Sequence, residues 1–144
     1  MTEAKKPEIL LVDDNPADQD LFQEALGGGA NRPQLCMVPD GEEAIAFLCR
    51  SGKFWAATRP DLVVLDLNLP RKDGRAVLAN AKSDPELRLI PIVVFSTSGS
   101  RSDIVECYAL GANCYVSKPG SLTDFRKAVQ SIEHFWLRVA RPSA

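Results

Sequence analysis

The chain has 144 residues and a mass of 15.7 kDa, and its hydrophobic fraction of 45% with 25% charged residues predicts one globular domain with a proper core. With 17 basic and 19 acidic residues, it lacks the charge excess that favours binding to nucleic acid or to an anionic membrane. We find no apolar segment of 18 residues and no secretory signal in the sequence, so we expect a cytoplasmic protein.

Five short apolar runs predict five strands, because each run is bounded by turn-forming residues. They lie at Glu8–Asp13, Gln34–Val38, Asp61–Asp66, Pro91–Ser96 and Cys114–Ser117. The third run is unusual, since its apolar interior ends in the carboxylate of Asp66 and is soon followed by Pro70 and Gly74. A run of this kind is typical of a strand that is buried on both faces of a parallel sheet.

A helical pattern follows each predicted strand. Asn15 and Pro16 are suited to the N-cap and the first helical position of the first helix. Asp40 and Glu43 have capping-box spacing before the second helix, and Asp73 precedes the third. The last helix carries apolar residues spaced by three and four, which we expect to form one core-facing stripe: Leu122, Phe125, Val129, Ile132 and Trp136.

Five β-α repeats predict right-handed crossovers and a parallel sheet with helices on both faces. We therefore predict an α/β fold, a flavodoxin-like doubly wound five-stranded sheet with strand order 2-1-3-4-5. This order brings the carboxyl ends of strands one, three, four and five together. The predicted domain spans residues 1–144, with a polar lead at 1–7, a core at 8–139 and a C-terminal tail at 140–144.

Polar residues stand at the strand ends that this order brings together. Asp13 and Asp14 follow the first strand, Asp66 ends the third, Ser96 ends the fourth, and Lys118 follows the fifth. Carboxylates held close together repel unless a cation intervenes, and Mg²⁺ prefers oxygen ligands. Lys118 would add a point charge beside a phosphoryl group. The pattern predicts a Mg²⁺ site at which Asp66 attacks an activated phosphate and becomes an aspartyl-phosphate.

Four motifs together resemble the receiver domain of two-component response regulators, and the resemblance covers nearly the whole chain. The motifs are Val12–Asp14, Leu65–Asp66 with Asn68 and Pro70, Ser96 after Phe95, and Tyr115–Pro119. The resemblance implies a switch that accepts a phosphoryl group on Asp66 from a histidine kinase. It implies no enzyme in the usual sense, but a protein that assists its own phosphorylation and dephosphorylation.

The resemblance also implies a set of metal ligands. The second acid of the pair and the nucleophile bind Mg²⁺ directly in the family, which gives Asp14 and Asp66 this role here. The residue two positions after the nucleophile supplies its backbone carbonyl, and in this chain that residue is Asn68. The resemblance assigns Asp13 a role that runs largely through water.

Two switch residues follow from the same resemblance. Ser96 takes the place of the hydroxyl that contacts the phosphoryl group, with serine where the family also uses threonine. Tyr115 takes the place of the aromatic ring that turns inward on phosphorylation, although a ring that simply packs at the sheet edge would give the same sequence. The family's lysine precedes a cis peptide bond, which the Lys118–Pro119 sequence permits.

Further segments look like the small response regulators that partner bacterial phytochromes. They are residues 66–70, 73–78 and 111–115, the longer loop before Arg59, and the ending 131–137. This resemblance implies a phytochrome kinase as the partner. Because the chain ends about 25 residues after Lys118, we expect no output domain and no DNA binding, and we expect the output to be a protein contact.

Phe135 and Trp136 are consecutive and face about 100° apart on a helix. The ring that lies off the apolar stripe is predicted, together with Leu137, to extend an apolar surface on the fourth and fifth helices. This surface would serve a homodimer or a docked partner. His134 is the only histidine, and we interpret it as a helix-surface residue.

Two other functions fit parts of the pattern. A Mg²⁺-dependent dehalogenase-like phosphatase also uses a strand-end Asp nucleophile, but it requires a second Asp where this chain has Asn68. An FMN carrier requires a phosphate loop rich in Ser, Thr and Gly where this chain has the acidic pair Asp13 and Asp14. The phosphatase is kept as the alternative to the switch.

Four cysteines are scattered along the chain without a C-x-x-C pair: Cys36, Cys49, Cys107 and Cys114. Their mostly apolar neighbours predict reduced thiols packed in the core. With one histidine and dispersed cysteines, a zinc cluster of His and Cys ligands is excluded, so carboxylates remain as the candidate metal ligands.

Overall fold

The computed structural model describes residues 6–142, in which five strands form one parallel sheet. The strands are β1 (Glu8–Val12), β2 (Gln34–Val38), β3 (Leu62–Leu65), β4 (Ile92–Ser96) and β5 (Cys114–Ser117). Their order is β2-β1-β3-β4-β5, which confirms the predicted topology. All four residues of β3 are fully buried because β1 and β4 flank it and helices cover both faces.

Five α-helices connect the strands or follow the last one. They are α1 (Pro16–Ala25), α2 (Gly41–Cys49), α3 (Gly74–Ser83), α4 (Arg101–Ala109) and α5 (Leu122–His134). A π-helical turn over Phe135–Val139 continues α5, and short 3-10 turns lie at Gly52–Phe54 and Leu87–Leu89. Among residues 6–142, no helix has the length and apolar character needed to cross a membrane.

Each α-helix begins behind a residue whose side-chain oxygen accepts a hydrogen bond from a backbone N–H of the first turn. These N-cap residues are Asn15, Asp40, Asp73, Ser100 and Ser121. The caps satisfy donors that have no partner within the helix. The predicted helix starts at Asn15, Asp40 and Asp73 are thereby confirmed.

The core consists of two hydrophobic clusters on opposite faces of the sheet. Successive strand residues point to opposite faces, so Leu10 and Val63 belong to one cluster and Ile9 and Val64 to the other. The first cluster includes residues of α2, α3 and α4, and the second includes residues of α1 and α5. The predicted placement of helices on both faces is confirmed.

The apolar stripe of α5 is confirmed except at its first residue. Phe125, Val129 and Ile132 are buried, and Trp136 packs partly buried against the second cluster. The prediction is wrong for Leu122, whose exposure is 65%. Residues 122–124 of the first helical turn are all exposed, so the helix enters the core only at Phe125.

The prediction that the cysteines are core thiols is largely wrong. All four are free, but only Cys107 is buried, while Cys114 is half-buried. Cys36 is exposed because β2 is an edge strand, and Cys49 is exposed as the last residue of α2. Burial raises the pKa of the Cys107 thiol, which favours its neutral form.

Candidate functional site

The sheet places the first acidic residues side by side. Val12 of β1 pairs with Leu65 of β3, so the residues that follow them, Asp13 and Asp66, leave neighbouring strands at the same level. The Asp66 N–H donates to the Val12 carbonyl at 2.9 Å, which continues the ladder past the strand end. Asp13 is 2% exposed and Asp66 is 9% exposed. Two carboxylates are thus held almost out of solvent.

Lys118 reaches the same place from the end of β5. Its backbone N–H donates to the Ser96 carbonyl at 2.7 Å, which fixes the start of the side chain beside β4. Its Nζ lies 2.7 Å from Asp13 Oδ2, 2.7 Å from Asp18 Oδ2 and 3.0 Å from Asp66 Oδ2. The Lys118 side chain is only 3% exposed, so one buried ammonium serves three carboxylates.

The charges in this cluster have physical consequences for protonation. Burial alone would lower the pKa of Lys118, but the hydrogen bonds to Asp13 and Asp18, with the charges of Asp13 and Asp66, raise that pKa above its usual value. Lys118 therefore stays cationic. Burial raises the pKa of Asp13, and the neighbouring charge of Asp66 adds to this, while bonds from Lys118 and the Asn15 N–H oppose it. A further positive charge would relieve the repulsion between the carboxylates.

Three carboxylates form a group that could hold a metal ion. One oxygen from each of Asp13, Asp14 and Asp66 lies within 4.8 Å of the other two. Asp14 is exposed, so the group opens to solvent on that side. The Asn68 N–H lies 3.3 Å from Asp66 Oδ1, which places Asn68 beside the same carboxylate. The donors are all oxygens, which suits a hard divalent cation such as Mg²⁺.

The two predicted switch residues lie on neighbouring strands. Ser96 is fully buried at the end of β4, where it pairs with Ser117 of β5. Tyr115 is half-buried, and its hydroxyl donates to the Ser98 carbonyl at 2.7 Å. Between residues 6 and 142 no peptide bond is cis, so the cis bond that the resemblance permitted after Lys118 is absent and the bond has the trans form that X–Pro sequences favour.

A polar network joins the loop after β4 to helices α3 and α4. The Ser98 hydroxyl and the Arg75 guanidinium both donate to the Asp103 carboxylate of α4. Arg75, which lies on α3, also pairs with Glu106 one turn further along α4. Hydrogen bonds from Ser98 and Ser100 and the positive charge of Arg75 lower the pKa of Asp103. The network therefore joins the start of α4 to the loop after β4, and Tyr115 contacts this same loop.

Sequence reasoning missed Asp18 and Ser98. Asp18 is the third residue after the N-cap Asn15, a position where acidic residues commonly stabilise a helix start, so the sequence gives it an ordinary interpretation. Helical spacing does not link it to Asp14 either, because Asp14 precedes the N-cap and lies outside α1. Ser98 offers no such pattern, because its role depends on contacts with α4 and β5.

The family comparison agrees with this geometry. The family model of the response regulator receiver domain matches residues 9–130, which is most of the chain. The chain belongs to the response regulator receiver family, whose members are phosphoryl acceptors in two-component signalling. The sequence resemblance to this family is thereby confirmed.

Individual relatives match over almost their whole length. The response regulator Rcp1 of Synechocystis sp. is 47% identical over 94% of this chain and 93% of its own length. The crystal structure of the phosphorylated cyanobacterial phytochrome response regulator RcpA has a TM-score of 0.94 at 47% identity, covering 97% of this chain and 100% of RcpA. A crystal structure of Rcp1 in its Mn²⁺-bound form has a TM-score of 0.91 at 45% identity, covering 96% and 99%. The chain is therefore similar to phytochrome response regulators.

Proposed function

We propose that Asp66 accepts a phosphoryl group from a sensor histidine kinase in a Mg²⁺-dependent reaction, and that the protein signals through the resulting change of state. The observation that carries the proposal is the contact of Lys118 Nζ with both Asp13 and Asp66, at 2.7 and 3.0 Å, beside the group of three carboxylates. The family match over residues 9–130 supports a single receiver domain with its core at 8–139.

The proposed step is a phosphoryl transfer between two side chains. A carboxylate oxygen of Asp66 attacks the phosphorus of a phosphohistidine, the new O–P bond forms as the N–P bond breaks, and the imidazole leaves with the electron pair. Lys118 then donates to a phosphoryl oxygen instead of to the free carboxylate. Asp14, Asp66 and the Asn68 carbonyl would hold Mg²⁺ directly and Asp13 largely through water, and the bound ion would supply positive charge to the phosphoryl oxygens.

The output of the switch is proposed to begin at Ser96 and Tyr115. The Ser96 hydroxyl would bond the phosphoryl group, and the loop after β4 would move with it. Tyr115 is already bonded to this loop through Ser98, which supports a coupled movement of the ring and the loop. A partner that binds the two states with different free energies would read the change.

We further propose that the phosphoryl donor is a bacterial phytochrome kinase acting in the cytoplasm. The 47% identity to Rcp1 and to the phytochrome response regulator RcpA supports this partner. The test is phosphotransfer from a purified, autophosphorylated phytochrome kinase compared with a histidine kinase of another sensor class. Preferential transfer from the phytochrome kinase is expected, and equal or weaker transfer would contradict the assignment.

A homodimer through α4 and the last helix is also proposed. Large apolar side chains are exposed on both elements, including Val105 and Tyr108 on α4 and Phe135 and Val139 after α5. Phe135 is 50% exposed, as expected for the ring off the stripe, whereas Leu137 packs partly buried against the second cluster and its predicted place on this surface is wrong. Sedimentation of Phe135→Asp should show a loss of dimer relative to wild type, and an unchanged oligomeric state would end this proposal.

The central experiment is phosphoryl incorporation from acetyl phosphate with and without Mg²⁺. Wild type should be labelled only with Mg²⁺, and Asp66→Asn should not be labelled, because the amide cannot act as the nucleophile. Asp61→Asn is the matched control, since it is the same substitution at the opposite end of the same strand, where Asp61 accepts a bond from the Glu8 N–H. Labelling of Asp66→Asn, or none of folded wild type, would refute the proposal, and rapid multiple turnover of phosphate esters would favour a phosphatase.

A further inference from the structure

Asp18 contacts the lysine of the site but stands outside the group of metal-binding carboxylates. It lies in the first turn of α1, and its Oδ2 is 2.7 Å from Lys118 Nζ. This distance equals that of Asp13 and is shorter than the 3.0 Å of Asp66. Asp13, Asp14 and Asp66 are the carboxylates whose oxygens gather within 4.8 Å, and Asp18 does not belong to that group.

The hydrogen-bonding capacity of Lys118 gives this contact a distinct role. A lysine ammonium has three N–H donors, and Asp13, Asp18 and Asp66 accept one each. Under the proposed function, Asp66 gains the phosphoryl group as a new partner, and Asp13 gains the hydrated cation. Asp18 has no such second task, so it is the acceptor that can keep Nζ in place throughout the transfer.

We propose that Asp18 is a positioning residue for phosphoryl transfer, and that its carboxylate holds the Lys118 ammonium beside Asp66 while the other two carboxylates change partners. The inference rests on the proposed function of Asp66. A flexible lysine side chain loses considerable rotamer freedom when it is fixed. In an anchored lysine this loss has occurred before the phosphoryl donor arrives, so it does not add to the barrier for phosphoryl transfer.

A purely structural or purely electrostatic role for Asp18 makes different predictions. As a helix-start acid, Asp18 would affect stability but not the rate of transfer at a temperature where the variant is folded. As a negative charge near the site, it would repel the anionic donor, and its removal would speed up labelling. Only the positioning role predicts that removal slows labelling.

The test compares Asp18→Asn with Asp20→Asn. In Asp18→Asn the neutral amide oxygen can form only a weaker hydrogen bond to the Lys118 ammonium, whereas Asp20→Asn removes the same charge from the same helix without affecting that contact. Asp20 is exposed and makes no ion pair or side-chain hydrogen bond within the described part of the chain. The rate constant for labelling by acetyl phosphate with Mg²⁺ should fall more than threefold in Asp18→Asn and change less than twofold in Asp20→Asn. A rate within threefold of wild type or faster in Asp18→Asn, or an equal decrease in both variants, would overturn the proposal.

Two further measurements separate this proposal from the function on which it rests. The double variant Asp18→Asn with Lys118→Ala should label no more slowly than Lys118→Ala alone, and a slower double variant would show that Asp18 acts independently of Lys118. In unphosphorylated protein without metal, the side-chain NMR signals of Lys118 should shift in Asp18→Asn and not in Asp20→Asn, and unchanged signals would contradict the anchoring contact. If wild type itself fails to label at Asp66, the function proposed above fails, whereas labelling of wild type and Asp18→Asn at equal rates removes only the role of Asp18.

Discussion

Gly74→Ala is a substitution for which local and tertiary effects have opposite signs. Gly74 is the first residue of α3, and alanine favours a helix over glycine by up to about 1 kcal/mol. However, a Cβ at this position would lie 2.4 Å from the Asp66 carbonyl oxygen and 2.8 Å from the Leu67 Cα. Both are backbone atoms at the end of the central strand, so they cannot turn aside as a flexible side chain could.

The expected loss in the free energy of unfolding follows from the distance that α3 would have to move. An ordinary contact begins at 3.4 Å, so the start of α3 must retreat by about 1 Å from a carbonyl oxygen that lies only 2.4 Å from the added Cβ. Overpacking of this kind costs about 1–3 kcal/mol, and we take the upper end because both contacts are with backbone atoms. Subtracting the helical gain of up to about 1 kcal/mol leaves an expected net loss of about 2 kcal/mol. For a chain of this length, that loss corresponds to a decrease in Tm of about 7 °C.

Thermal unfolding followed by circular dichroism measures this effect. Gly28→Ala is the matched control, because a Cβ on Gly28 would meet nothing within 4 Å, and its backbone is not left-handed. We expect the Tm of Gly28→Ala to remain within about 2 °C of wild type or to rise slightly. A Tm of Gly74→Ala at or above that of wild type would refute the reasoning, because helix propensity would then outweigh the contact with Asp66.

Three other predictions concern the metal site, the loop network and the core. Mg²⁺ at 100 times its Kd should stabilise wild type by about 2.7 kcal/mol in thermal unfolding. This stabilisation should be lost in Asp14→Asn, and equal stabilisation of the variant would contradict the role of Asp14 as a ligand. The pKa of Asp103 is lowered from its ordinary value of 3.8, so its contribution to stability is complete above that value and is lost as the pH falls through the lower pKa of the folded state. The Tm values of wild type and Asp103→Asn should therefore differ at pH 7 and converge as the pH falls below 3.8, and a constant difference would contradict this. Ile132→Ala should lower the free energy of unfolding in urea by about 2–5 kcal/mol, because Ile132 is 5% exposed. Leu122→Ala should lower it by less than about 0.5 kcal/mol, because Leu122 is 65% exposed. Equal losses would contradict the observed burial.

The sequence by itself determined the fold to a large extent, because its local patterns agree with one another. The apolar runs predicted all five strands, and cap residues such as Asn15 and Asp40 predicted helix starts that the structure confirms. The alternation of these elements allowed few topologies, which made the order 2-1-3-4-5 predictable. The same order predicted that Asp13, Asp66 and Lys118 would meet, since parallel strands present their carboxyl ends at one edge.

The exposure of individual residues along an element could not be predicted as well, because periodicity identifies the apolar face of an element but not the part of that face that neighbouring elements cover. The spacing of α5 placed Leu122 on the same stripe as Phe125, yet the first turn lies beyond the core and leaves Leu122 in solvent. Apolar neighbours likewise suggested burial for Cys36, but its strand forms the edge of the sheet. Both errors arise from contacts between elements that are distant in sequence.

Only the tertiary structure decided how the charges of the site are shared. The Asp18 carboxylate is close to Lys118 because α1 begins at the end of β1 while β5 brings the lysine from 100 residues away. The same applies to Ser98, which joins Tyr115 of β5 to Asp103 of α4. Hydrogen bonds of this kind form only when atoms on separate elements are placed to within a few tenths of an ångström. A one-dimensional pattern of residue types does not contain this information.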